Sequence, residues 1–310
     1  MGQKANSNVL RLGTDNNFWT SKYIGKIPEE FSLFVYQDLK IKNYINRFFN
    51  LHGILIDNCY INRSNVNMNI YISYFVLLDS IKHISKKNEK LLQYYPEDTF
   101  IYENERHKAR VSKYDIIRSL KKAWNKKIFK KKVFFLSKPF IFKLISCLNL
   151  FLNNNYKIKV IVQNINKGAS VRLTNSEALE FRKLITQLRY YSKAAFFKEA
   201  VNILLSLVKN QSSAKIFSDF IALKLSYMKR HNYFINFLKR SLNLVIGLKF
   251  SCIKGVKIKI KGRFNGAPRA KLKLIQVGEI PLQTLKTKVS YYCSTSFTPN
   301  GTFGVQLWIS

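Results

Sequence analysis

Residues 256–263 read Val256-Lys257-Ile258-Lys259-Ile260-Lys261-Gly262-Arg263. Apolar and cationic residues alternate with a period of two, the period at which side chains change faces along a β-strand. Val256, Ile258 and Ile260 then face a core, while Lys257, Lys259 and Lys261 share the opposite side. Arg263 continues the cationic row past Gly262. The segment therefore demands a sheet with one packed face and one cationic face, and a flat cationic face suits phosphate.

The whole chain leans the same way. Of its 310 residues, 53 are Lys or Arg and 17 are Asp or Glu, a net charge of +36. Because 47% of the residues are apolar and 14% aromatic, there is enough to bury a core, which separates this chain from a disordered polycation. Its length suits about two domains. Self-repulsion on this scale is relieved by a polyanion, and nucleic acid is the one that needs so many charges.

Other classes fall away. Cys59, Cys147, Cys252 and Cys293 are far apart and form no C-x-x-C pair, and His52, His83, His107 and His231 are scattered. Neither a disulfide framework, nor a metal site, nor a cofactor is expected. The longest apolar stretch, Val133 to Leu152, is interrupted by Lys138, Pro139 and Lys143 and reads as a buried helix, not a membrane span. The opening residues lack a secretory core or an Arg-rich transit helix, and Asn6 departs from the myristoylation pattern. Abundant Lys, Asn, Ile, Phe and Tyr with scarce Gly and Pro point to an AT-rich genome such as an organelle's.

Residues 1–37 are polar and read as an extended arm. Apolar residues from Asp38 to Asn50 recur at helical spacing, with Gly53 ending that helix. Ile54–Ile56 and Asn69–Phe75 read as strands around a polar turn. The charged stretch at about 78–138, with acids Glu97, Asp98, Glu103 and Glu105 followed by a lysine run from Lys121 to Lys132, reads as an insertion. A helix from Pro139 to Leu152 and a strand from Lys157 to Val162 follow. Residues 176–209 predict one or two helices capped at Asn175 or Ser176. Two apolar stripes, Phe217-Ile221-Leu225-Met228 and Phe234-Leu238-Leu242-Val245, predict two more, the second ending near Gly247. The last hundred residues hold seventeen Lys and Arg against two acids, Asp219 and Glu279.

Both ends of the chain resemble a known family. Met1-Gly2-Gln3-Lys4 followed by Arg11-Leu12-Gly13 resembles the start of the universal small-subunit ribosomal protein three in its bacterial and organellar form. Gly255-Val256-Lys257-Ile258, Gly262-Arg263-Phe264-Asn265-Gly266-Ala267, Gly278-Glu279-Ile280-Pro281-Leu282-Gln283-Thr284-Leu285 and Gly304-Val305-Gln306-Leu307-Trp308-Ile309 follow that family's carboxy-terminal domain in order and spacing. The resemblance implies an α+β chain: a type II KH-like domain with large insertions, then a carboxy-terminal α/β ribosomal-protein domain. On that basis residues 1–37 are an arm and residues 38–166 a KH-like domain interrupted at about 78–138. Residues 167–212 are then a helical insertion, and residues 213–310 the terminal domain.

The same resemblance implies a non-enzymatic structural constituent of the small ribosomal subunit, set in the head near the path by which mRNA enters. Its implied partners are rRNA, mRNA, head proteins ten and fourteen and the entrance protein five, with no membrane. Lys4, Arg11, Lys229, Arg230, Lys239, Arg240, Lys257, Lys259, Lys261 and Arg263 are the expected RNA-binding residues. A mitochondrial ribosome is expected because the KH core is so eroded and enlarged, with a plastid as the alternative. Two departures stand out. No glycine occurs between Gly53 and Gly168, so the G-x-x-G loop of a KH domain is missing, and Gly301-Thr302-Phe303-Gly304 reads as a hairpin turn. On the helix facing messenger, Lys239 and Arg240 match the family's second basic pair, while Ile235 and Asn236 replace the first; Lys229 and Arg230 lie nearby. The competing class is an intron-encoded maturase or endonuclease, which needs clustered acids to hold Mg²⁺, whereas Asp57 and Asp79 stand isolated in sequence.

Overall fold

The computed structural model describes residues 5–12, 19–64, 66–77, 138–166, 174–209, 214–248 and 250–310. Two four-stranded sheets, each covered by helices on one face, make a mixed α+β structure. The expected insertion at 78–138, with its acids, its lysine run and Asp79, lies almost wholly outside the described residues.

In the amino-terminal part, α1 (Ser7–Leu10) and β1 (Ser21–Lys22) precede α2 (Pro28–Leu51). Residues 28–37 are thus helix, not arm. Pro28 supplies a helical φ in the first turn and needs no amide partner there, while Glu29 and Glu30 complement the helix dipole. Gly53 adopts φ 68°, which lets the chain reverse into β2 (Ile54–Arg63). That strand pairs antiparallel with β3 (Asn67–Val76). After α3 (Lys138–Phe151), β4 (Lys157–Asn164) adds parallel to β3, giving the order β1-β2-β3-β4. Ile41, Ile45 and Phe49 of α2 and Leu144 and Leu148 of α3 close over Ile61, Ile70 and Ile72 of the sheet.

Inside that core Arg63 donates to the Asp38 carboxylate at 2.8 Å, the two side chains 1% and 3% exposed. Gln37 accepts a second guanidinium bond at 2.5 Å. The Arg63 guanidinium also lies 4.6 Å from the Phe34 ring centre and 5.0 Å from that of Tyr156.

In the carboxy-terminal part, Thr174 accepts from the Glu177 amide while the Glu177 side chain accepts from the Thr174 amide. This reciprocal cap at Thr174 starts α4 (Asn175–Gln187), one or two residues ahead of the expected cap at Asn175 or Ser176. Helices α5 (Phe197–Lys209), α6 (Ala214–Tyr227) and α7 (His231–Ile246) follow. Strands β5 (Gly255–Gly262), β6 (Lys271–Gly278), β7 (Ser290–Thr298) and β8 (Gly301–Ile309) form an antiparallel sheet in the order β6-β5-β8-β7. The segment Gly301–Gly304 is therefore strand and not turn. The reversal falls at Pro299 and Asn300, and Gly304 sits inside the ladder opposite Lys261 and Thr295.

One core joins α4 to α7 with the inner face of this sheet and reaches Leu55, Phe75, Leu77 and Ile165 of the first. Helix α6 comes close enough to β7 for the Ser218 and Ser294 hydroxyls to meet at 2.6 Å. Among the described residues no helix is long and apolar enough to cross a membrane.

Candidate nucleic-acid interface

The alternating segment is strand β5, and it occupies an interior position between β6 and β8. Val256, Ile258 and Ile260 are completely buried beneath the helices. Lys257, Lys259 and Lys261 rise from the opposite face, the first two half-buried and the third exposed. Register sets Leu274 and Leu272 of β6 beside Lys259 and Lys261, and Trp308 and Gln306 of β8 beside Lys257 and Lys259. The lysine stems thus lie among apolar neighbours while their ammonium groups reach water, and the Lys257 ammonium sits 6.0 Å from the Trp308 ring centre. Residues two apart on one strand stand about 7 Å apart, so the three lysines set a row of like charges along it.

The turn that ends β5 is tightly specified. Phe303 packs where a Cβ on Gly262 would stand, so only glycine fits there. Asn265 and Gly266 then take φ of 53° and 75°. The Asn265 amide donates to His231 Nδ1 at 3.1 Å, the His231 amide donates to Asn265 Oδ1 at 3.0 Å, and His231 Nε2 lies 3.3 Å from the Leu225 carbonyl. His231 is buried and tethers the turn to the start of α7.

This tether brings Arg230 and Arg263 to one end of the domain. Both are exposed, and Arg263 Nε donates to the Ala267 carbonyl at 2.8 Å. Arg230 occupies the N-cap of α7, where the helix dipole disfavours a cation; an anion outside the protein would offset this. Lys229 is exposed beside it. Lys239 and Arg240 are exposed on the outward side of α7, together with Asn236, whereas Ile235 is buried in the core, so a lysine there would be buried too. Since α7 covers the inner face of the sheet, Lys239 and Arg240 lie on the side of the domain opposite Lys257, Lys259 and Lys261. The domain is cationic on both flanks.

Two expected residues stand apart. Lys4 lies outside the described residues. Arg11 does not face solvent: it is 2% exposed and its guanidinium donates to the carbonyls of Thr287 (3.0 Å), Leu282 (3.0 Å), Thr284 (2.9 Å) and Ser7 (3.1 Å). A fork of rigid N–H groups suits a loop that presents several carbonyls at once. Arg11 fastens the amino-terminal segment to the 281–287 loop, so it is removed from the RNA-facing set. Sequence reading also passed over Lys273, because β6 was not recognised as a strand. Its ammonium donates to the Asn232 side chain and lies 4.8 Å from the Phe264 ring centre.

Asp57 is not isolated as expected. Burial lifts its carboxyl to about 7, with Lys215 opposing and Asp219 adding to the shift. Burial likewise lifts Asp219 to about 6 against Lys215. The two acids meet Lys215 where the two sheets join. Among the described residues no group of three or more His, Cys, Asp or Glu is placed to hold a metal ion. None of Cys59, Cys147, Cys252 and Cys293 is joined in a disulfide.

Residues 227–309, which hold the lysine strand, the Gly262 turn and α7, match the family described as "Ribosomal protein S3, C-terminal domain". The chain is 25% identical over 154 residues to the small ribosomal subunit protein uS3c of Tupiella akineta, an alignment covering 49% of this chain and 65% of that one. It is 28% identical over 153 residues to the uS3c of Psilotum nudum (49% and 67%) and 46% identical over 59 residues to that of Cyanidium caldarium (19% and 28%). The matches thus span about two thirds or less of these relatives' own length. The carboxy-terminal sheet, turn and helix of this chain are thus similar to the C-terminal domain of ribosomal protein S3.

Proposed function

We propose that this protein is a structural, non-enzymatic RNA-binding constituent of an organellar small ribosomal subunit. The observation that carries the reading is the cationic ladder Lys257-Lys259-Lys261 on the open face of a sheet inside the matched region. Lysine and arginine there neutralise rRNA phosphates and release counterions, which positions the protein without reading bases. Exposed Lys229, Arg230, Lys239, Arg240 and Arg263 extend the footprint around the domain's end and far flank. The helix-strand-strand-helix-strand order of the amino-terminal part, with β3 and β4 parallel, supports a type II KH-like domain kept as a scaffold. A place in the subunit head beside the mRNA entrance, next to proteins ten, fourteen and five, belongs to the same reading. The uS3c names of the relatives favour a plastid over the mitochondrion expected from the eroded and enlarged core.

The test is incorporation. A chain carrying Lys257→Glu, Lys259→Glu and Lys261→Glu is expressed in the organelle and followed through a high-salt gradient. Loss from the small-subunit peak is expected. Undiminished co-sedimentation would remove this face from the interface. In vitro, affinity for small-subunit rRNA should fall about 10³–10⁵-fold between 50 and 200 mM salt if roughly 6–10 phosphates are contacted.

A further inference from the structure

The amino-terminal sheet offers a second surface of different chemistry. A register shift between Ile56 and Cys59 divides its outer face. On one side of the shift, Leu55 and Phe75 pass under the helices of the second core. On the other, the sheet emerges into solvent. There Tyr60, Tyr71 and Ile161 line up across β2, β3 and β4 and are 36%, 37% and 38% exposed. The next row along the strands is Lys22, Asn62, Asn69 and Lys159, and the one after it pairs Asn67 with Lys157. None of these rows contains an acid. Beyond them Ile24, Ser64, Val66 and Asn67 line an open cleft of about 330 Å³.

Two tyrosines side by side on an open sheet present aromatic surface that any base can cover. Asparagine carries both a donor and an acceptor, the pair needed to bond the edge of an unpaired base. The lysines supply the charge complement for the phosphates between such bases. A duplex keeps its bases stacked inside and cannot use the rings. We propose that this strip binds unpaired RNA, with Tyr60 and Tyr71 stacking bases, Asn62 and Asn69 meeting their edges, and Lys157 and Lys159 holding the backbone. The proposal rests on the RNA-binding reading above and adds to the phosphate ladder a separate site for single strands.

The experiment uses the full chain and fluorescence anisotropy with two probes, a single-stranded oligouridine and an RNA duplex of equal length. The paired substitution Tyr60→Ala and Tyr71→Ala should weaken the single strand roughly tenfold to a hundredfold and leave the duplex within about twofold. Tyr71→Phe keeps the stacking ring and should bind like the parent. Single-strand affinity unchanged by the alanine pair, while charge reversal of Lys257, Lys259 and Lys261 weakens the duplex, would overturn the strip and leave the ribosomal reading standing. Binding of both probes indifferent to either set of changes would overturn the RNA reading itself. Should the alanine pair misfold, the unaltered chain is crosslinked to thiouridine-substituted RNA. Adducts on the β2 or β3 tyrosines support the strip, and adducts confined to residues 227–309 overturn it.

Discussion

The two sheets share a strand count and one helix-covered face, yet their strands place charge differently, although the helices over the second sheet also bury one ion pair, Lys224 with Glu199 at 2.6 Å. The amino-terminal sheet draws a cation and an anion into its packed side, where Arg63 and Asp38 meet between the Phe34 and Tyr156 rings. On the carboxy-terminal sheet the packed side of β5 is wholly aliphatic and its lysines stand on the other face. The difference teaches how a chain this basic folds at all. A charge can be kept inside only with a dedicated partner, and acids are too scarce to partner more than a few. The remaining cations must stand outside, and the period-two strand is the device that aligns them.

That contrast can be broken most forcefully at Asp38. Asp38→Ala leaves Arg63 buried without its carboxylate and should lower unfolding free energy by about 3–5 kcal/mol in urea titration. Replacing Asp38 with Leu and Arg63 with Met together should recover most of the loss; failure to recover would show that the ion pair contributes more than a filled volume.

Next in size is a pH effect at the joint between the sheets. Asp57 titrates near 7 in the fold against 3.8 as its ordinary value, and Asp219 near 6. Both folded values are raised, so the folded state holds protons that the unfolded state has released. Their favourable contribution is complete below about pH 4 and is lost as pH rises through 6 to 7. Denaturation midpoints should therefore fall between pH 5 and 8, by on the order of 2–4 kcal/mol for Asp57. Asp57→Asn should flatten most of that slope, which an unchanged profile would refute.

A smaller loss, about 1–3 kcal/mol, is expected for Gly262→Ala, since its methyl must displace the Phe303 ring. Thermal unfolding of that variant tests whether the carboxy-terminal sheet is held by fit as closely as the other is by charge. Smallest of all is Lys259→Gln. It should weaken rRNA binding evenly across sequences and reduce the salt slope by about one, leaving stability unchanged.

The regular parts of this fold were legible because burial imposes periods. The β5 alternation, the α6 and α7 stripes and the strand at β4 all lie where their apolar spacing puts them. The start of α2 was hidden because Leu33, Val35, Tyr36 and Leu39 are exposed on that helix and blur its stripe. Strands β6 and β7 were hidden for a related reason. Their exposed faces carry Leu272, Leu274 and Phe297, so the alternation between apolar and polar residues is lost. The outward placement of eight cationic residues followed from sequence, six exposed and Lys257 and Lys259 half-buried, since they sit at polar positions of strong patterns or in the turns between. Arg11 did not, because its partners are carbonyls some 270 residues away in sequence, a closure that no local pattern encodes. Asp57 and Asp219 met for the same non-local reason.

Strand β8, the last of the described strands, does not lie at the edge of its sheet; it is inserted between β5 and β7. During synthesis, β5, β6 and β7 are all made before the strand that must join two of them. A nascent copy interrupted ahead of Gly301 has no partner for β7 and leaves one side of β5 as a raw edge, the kind that pairs with other chains or invites proteolysis. The lysine ladder becomes flat and flanked on both sides only when translation has passed β8.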